Sequence, residues 1–236
     1  PGMGGKGTGE AFVRNVAKLR EIALNLDVIY DNKGQDSTVT LWGRTFAAPV
    51  FGAPIGGMEH NYTPALDEAG WTKAVVDGCA GAGVLAFTGD GVKDPLMDLP
   101  LQWIKERGGL GVPTIKPWRM EKVLEKLEKA KASCPVAVAM DVDSAGLPFL
   151  SGQGGDAGPK SVEALKKIAT AAGLPFLVKG VMTPGRGLGH RGVQPRGPCD
   201  GLRPRHLRGA AGDQGGGGGH HQGVCGRRRP HRGGRL

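Results

Sequence analysis

Pro135-Val-Ala-Val-Ala-Met-Asp-Val-Asp143 is apolar through Met140 and then carries two carboxylates. A short run that is apolar at every position has no wet face. It fits a strand covered on both sides, as in a parallel sheet or a barrel. The same grammar recurs along the chain. Pro49 to Pro54, Val84 to Thr88, Val112 to Lys116 and Leu174 to Val178 are short runs of this kind. Polar residues gather just after them: Thr88 and Asp90, Lys116, Asp141 and Asp143, and Lys179.

Helix patterns lie between these runs. Phe12, Val16, Leu19 and Ala23 recur at three- and four-residue steps and predict an amphipathic helix near 9–25. Pro64 opens a predicted helix through Ala82, with Thr63 as its N-cap and Gly83 past its end. A weaker helix follows over 98–107. Arg119 to Ala132 is strongly charged, with Val123, Leu124 and Leu127 expected inward, and Ser161 to Ala172 completes the set. Thr38 to Phe46 reads as a small hairpin with Gly43 in its turn. Strands alternating with helices give an α/β chain built on a parallel sheet. Gly52 and the pair Gly56-Gly57 lack the G-x-G-x-x-G spacing of a dinucleotide-binding turn. A βα barrel is therefore favoured over an open doubly wound sheet, and on a barrel the polar strand ends are where chemistry is assembled.

Charge divides the chain in two. Residues 185–236 hold 11 Arg and no Lys against two Asp, together with 17 Gly and five of the six His. The remaining 184 residues balance at 20 basic and 20 acidic groups. So little apolar surface in 185–236 cannot offset the entropy of ordering the segment. The expected organisation is a partial βα barrel over 1–184 followed by a disordered, basic Gly/Arg-rich tail over 185–236. No window reaches the ~18 apolar residues of a membrane span, and Pro1 to Gly9 lack the apolar core of a secretory signal. A cytoplasmic protein is expected. Four Cys without C-x-x-C spacing argue against a zinc ribbon or a disulfide scaffold. His220, His221 and Cys225 find no fourth ligand at standard spacing, so no metal is expected.

Five segments occur in a telling order: Phe51-Gly-Ala-Pro-Ile-Gly-Gly57, Leu85-Ala-Phe-Thr-Gly-Asp90, Ile115-Lys-Pro-Trp118, Ala139-Met-Asp-Val-Asp-Ser-Ala-Gly146 and Leu174-Pro-Phe-Leu-Val-Lys-Gly-Val-Met-Thr-Pro184. Together they resemble the FMN-dependent 2-hydroxy-acid oxidases and dehydrogenases, which oxidise glycolate, lactate and mandelate. The resemblance implies a TIM-type (βα)8 barrel, of which about the first five βα units are present, with FMN across the C-terminal mouth. It also implies a small 2-hydroxy acid as substrate and, for full-length members, frequent homo-oligomers. By the same resemblance the backbone at Ala53, Pro54, Ile55 and Gly56 lies along the isoalloxazine ring, and Thr88 bonds the flavin's polar edge. Lys179 sits beside flavin N1 and O2, where negative charge gathers on reduction. Asp141 takes the place of the carboxylate that orients the catalytic imidazole. Trp118 stands where the oxidases commonly have a substrate-contacting Tyr. Lys116, on the cofactor side, stands where they have Gln.

Plainer readings stay open beside these. A lysine after a strand is commonly just solvated, and Asp141 and Asp143 have the chemistry of turn formers or helix caps. Among flavin barrels, type 2 isopentenyl diphosphate isomerase is the nearest competitor. The tail's arginines suit phosphate contact with nucleic acid, but no aromatic residue interleaves them for stacking, so that partner is disfavoured.

The tail as written also lacks the family's S-N-H-G-G-R segment, whose His takes the substrate proton and whose Arg pairs with its carboxylate. The D-G-G-[VI]-R segment that cradles the FMN phosphate is absent too. Re-read from the second base of each codon, Arg191 to Gly201 is compatible with V-V-S-N-H-G-G-R-V-M-D. The stretch from Arg203 then permits A-P-A-T-S-E-V-L-P, and Gly226 to Arg232 permits D-G-G-V-R-T-G. Three matches in order imply that the tail is an out-of-frame reading of an oxidase gene. The chain as written is therefore expected to be inactive.

Overall fold

The computed structural model describes residues 8–26, 28–147, 150 and 157–181. The tail, with its expected disorder and its His and Cys residues, lies outside them.

A hairpin comes first. Strands β1 (Val39–Leu41) and β2 (Arg44–Phe46) pair antiparallel, with Val39 opposite Phe46. Trp42 and Gly43 both take positive φ, 50° and 74°, as the commonest two-residue hairpin turn requires. Five parallel strands follow in sequential order: β3 (Phe51–Gly52), β4 (Leu85–Thr88), β5 (Val112–Ile115), β6 (Val138–Asp141) and β7 (Phe176–Lys179). Parallel neighbours need a crossover between them. These are supplied by α3 (Glu68–Gly81), α4 (Pro95–Glu106), α5 (Met120–Lys131) and α6 (Val162–Ala172). The chain begins with α1 (Glu10–Arg20), and a single turn, α2 (Met58–Asn61), precedes α3.

Side-chain alternation sorts the sheet into two faces. Ile115, Val138 and Met140 pack with Met97 and Leu101 of α4, Val123 and Leu127 of α5, and Ile168 of α6. Ala86 meets Val76 of α3 and Ile104 of α4. On the opposite face Leu85, Val112, Ala137 and Ala139 pack against Phe46 of the hairpin. Helices on one face, strands in sequential order and a small plug on the other face are the layout of a TIM-type barrel's first five βα units. The apolar runs that announced this fold are buried in the central strands β4, β5 and β6 and half-buried in the edge strands β3 and β7. No helix among the described residues is long and apolar enough to cross a membrane.

Three local expectations are corrected. The helix expected from Pro64 starts at Glu68, because Asp67 caps it, accepting the Gly70 N–H at 2.6 Å. Thr63 instead accepts from Ala65 in a local turn. Asp and Thr are both good caps, but only the Asp67 side chain reaches the first free amides of this helix. In α5, Leu124 is 40% exposed, whereas Val123 and Leu127 are fully buried and Lys126 takes the inward position. In α1 the apolar positions Val16 and Leu19 are exposed and form no part of the core.

Leu127→Ala opens a cavity between α5 and the sheet. It should cost ~2–5 kcal/mol. Leu124→Ala should cost under ~1 kcal/mol, as expected of a partly exposed position. Urea unfolding of the two variants checks the contrast.

Candidate functional site

Strand register places the charged residues. Thr114 pairs with Ala139 and Ala139 with Leu177, and Asp141 stands opposite Lys179. Two residues beyond Thr114, alternation returns Lys116 to the same face. Lys116, Asp141 and Lys179 therefore form one row across three neighbouring strands, at their C-terminal ends and on the face away from the helices. The Asp141 carboxylate bridges the two cations. Its Oδ1 accepts from Lys179 Nζ at 2.5 Å and its Oδ2 from Lys116 Nζ at 3.4 Å. Lys116 and Asp141 are mostly buried, and Lys179 is half-exposed.

Asp143 completes the cluster from the 3-10 turn Val142–Ser144, with its two oxygens 3.2 and 3.3 Å from Lys179 Nζ. Gly180 allows the approach. Its φ is +97°, and a Cβ there would sit 2.5 Å from Asp143 Cβ. The pKa values of the two carboxyls are shifted in opposite directions. Burial raises Asp141, but the hydrogen bonds from Asp143 and Lys179 and the charges of Lys116 and Lys179 outweigh it, and its pKa lies below the ordinary carboxylate value. Burial and the neighbouring Asp141 hold Asp143 above that value. Burial works to lower Lys179, but its bond to Asp141 prevails and keeps it more firmly protonated than a free lysine.

The other predicted positions are placed as follows. Ala53 is exposed, and Pro54, Ile55 and Gly56 are partly so, in the loop after β3. The Ile55 carbonyl accepts from the Trp71 indole at 3.3 Å. Gly56 lies against Gly89 closely enough that a Cβ on Gly89 would be 3.1 Å from the Gly56 nitrogen. Thr88 is buried and its hydroxyl has no hydrogen-bond partner among the described residues. Paired with Pro113, it falls on the helix-facing side of the sheet, so the structure does not bring it into the charged row. Trp118 does not line the row either. It is fully buried in the helix-side core, and its indole N–H donates to Asp90 at 2.7 Å.

Sequence reading missed two buried groups. Glu68 accepts the Met58 N–H at 2.8 Å through Oε2, while Oε1, beneath Gly56, has no partner among the described residues. An acid in the first turn of a helix looks like ordinary dipole compensation, which hid it. Thr114 lies two residues before Lys116 on the same strand face, and its buried hydroxyl also has no partner among the described residues. Threonine is common in strands, so it gave no signal.

Comparison with known proteins agrees with this architecture. The family described as FMN-dependent dehydrogenase matches residues 3–149. A mandelate oxidase structure superposes with a TM-score of 0.58 at 19% identity, covering 76% of this chain and 56% of that one. The lactate oxidase structure from Pediococcus acidilactici gives 0.61 at 18% identity, covering 78% and 55%. A mandelate oxidase variant with a C4a-OH-FMN adduct gives 0.60 at 20%, covering 76% and 56%. At these identities the likeness is one of fold. The chain spans just over half the length of the structures that it matches. No curated protein sequence matches it.

The opposed carboxyls predict opposed pH effects. A depressed folded pKa at Asp141 contributes stability at neutral pH that is lost as pH falls through that value. A raised folded pKa at Asp143 does the reverse, removing stability as pH rises through the ordinary carboxylate range. Asp143→Asn should therefore match or exceed the wild-type stability at pH 7. Asp141→Asn, which leaves Lys116 and Lys179 facing each other, should fall below it. Urea midpoints measured between pH 4 and pH 7 read both directions.

Proposed function

This chain belongs to the FMN-dependent dehydrogenase family, and on that footing we propose that its fold serves the oxidation of a small 2-hydroxy acid to the 2-oxo acid. The cofactor of the family is FMN. The described residues fit the ring end of that group by the chemistry of their donors. Two ammonium groups, anchored by one carboxylate at the C-terminal edge, suit a polar ring edge that gains negative charge. The close Gly56–Gly89 approach leaves backbone, with no side chain, on the loop proposed to run along the ring. FMN, when bound, supplies the two-electron acceptor for the hydroxyl-bearing carbon.

The chain's own residues have separable tasks. Lys179 and Lys116 would hold the ring's polar edge, with Lys179 kept cationic by Asp141. Their positive charge costs no reorganisation because Asp141 already fixes both ammonium groups in place. Asp141 would also orient the catalytic imidazole. Each carboxylate oxygen has two acceptor sites, so holding two lysines does not exhaust it. The backbone from Ala53 to Gly56 would lie along the ring, whereas Thr88, turned to the helix-facing side of the sheet, is left out of the ring contacts. The observation that carries the reading is the row itself: cation, carboxylate and cation on three consecutive strand ends of a chain from this family.

The segment 185–236 as written supplies neither a histidine–arginine segment nor a phosphate cradle of the family kind, and its second-base reading is compatible with both. On this reading the 236-residue chain should show no measurable oxidase activity, since loss of a positioned base alone costs ~10²–10⁴-fold. Resequencing the gene through codons 185–236 is the first step, followed by purification of both proteins. The chain as written should show no flavin absorbance and no dye reduction with glycolate, lactate or mandelate. The protein of the resequenced gene should show both. A yellow, active protein with the Gly/Arg tail would overturn the proposal, and turnover of a diphosphate but no hydroxy acid would move the site to the isomerase class.

A further inference from the structure

The segment 116–118 that carries Lys116 is held more tightly than a loop requires. Asp90, just past β4, is the centre of the restraint. Its Oδ2 accepts the Lys116 backbone N–H at 3.0 Å and the Trp118 indole N–H at 2.7 Å. Its Oδ1 accepts the Gly91 N–H and Lys126 Nζ, both at 2.7 Å. The side chains of Asp90 and Lys126 are 1% and 3% exposed. A second grip holds the next carbonyl, that of Pro117, which accepts from the Gly158 N–H at 3.0 Å and from Lys160 Nζ at 2.8 Å.

A buried ion pair stabilises a fold little more than apolar side chains of the same volume. Lys126 occupies an inward position of α5 beside Val123 and Leu127, where a leucine would serve packing as well. The pair is explained better by the bonds that the carboxylate directs than by the core that it fills. Of its four donors, two belong to the segment that aims Lys116 across to Asp141.

We propose that Asp90 is a positioning residue: through the Lys116 N–H and the Trp118 indole, its carboxylate oxygen fixes the β5–α5 segment so that the Lys116 ammonium is held against Asp141, while Lys126 neutralises the buried charge. The inference rests on reading the Lys116–Asp141–Lys179 row as the cofactor edge. Its geometry spans three elements that are far apart in sequence, and Asp90 itself touches neither Asp141 nor Lys179 in any bond described.

The test follows the Asp141 carboxyl by carbon NMR in the full 236-residue chain, because Lys116 helps to lower that group's pKa. Asp143 and Lys179 face the same carboxyl and remain unchanged in every variant. Lys116→Gln sets the reference shift, upward. Asp90→Ala with Lys126→Met removes the acceptor without leaving a lone buried ammonium. It should raise Asp141 by the same shift, and adding Lys116→Gln to it should change nothing more, as a cycle between coupled residues requires. Asp90→Asn with Lys126→Met keeps an acceptor oxygen and should titrate like the wild type. It also decides the matter if the Ala variant fails to fold by circular dichroism. A folded Ala variant with a wild-type Asp141 titration would overturn the proposal, and so would an Asn variant that shifts like Lys116→Gln. The readout needs no flavin. Failure of the FMN reading in its own test leaves this result standing, and failure here leaves that reading untouched.

Discussion

The bridge from Lys116 through Asp141 to Lys179 exists only because three parallel strands end in register. None of these residues is near another in sequence, and each sits one step past an apolar strand, buried in β5 and β6 and half-buried in β7. A shift of one residue in β6 would turn Asp141 into the helix-side core and bring Met140 to the open face, since side-chain direction alternates at every residue. Helix packing against Ile115, Val138 and Met140 on one side and the Phe46 plug on the other hold that register. The charged row is thus a consequence of core packing. That packing also explains why its two cations are spaced around a single carboxylate instead of repelling each other.

Electrostatics at this edge divides into two tiers. The exposed tier, Lys179 with Asp143, is screened by water and governs titration more than stability. The buried tier, Asp90 with Lys126, is dry and has every carboxylate lone-pair direction used by a donor on the page. Such fully satisfied polar centres specify one arrangement of the surrounding loops. Here the loops in question are those after β4 and β5, which border the row.

Much of the fold was legible in the sequence because apolar runs report burial directly. The five strand positions, the hairpin with Gly43 and the α5 and α6 helices follow from local pattern. Residues whose roles depend on distant partners were not legible. Asp90 meets Lys126 from 36 positions away, and no local signal marks either as buried. The resemblance set Trp118 at a substrate-contacting position, yet the turn after β5 folds it into the helix-side core. Leu124 looked inward by periodicity, but α5 is rotated so that Lys126 faces the sheet instead. The row itself was half-legible: sequence indicated Lys116, Asp141 and Lys179 singly, and only the register shows that they share one carboxylate.

The central claim is that this row faces the flavin ring. It is tested most directly by the nitrogen chemical shifts of the lysine ammonium groups in the 236-residue chain as riboflavin, which needs no phosphate cradle, is added. The account predicts that Lys179 and Lys116 move while Lys73, paired with Asp77 on the outer helix α3, stays still. Movement at Lys73 with Lys179 and Lys116 unchanged would contradict it.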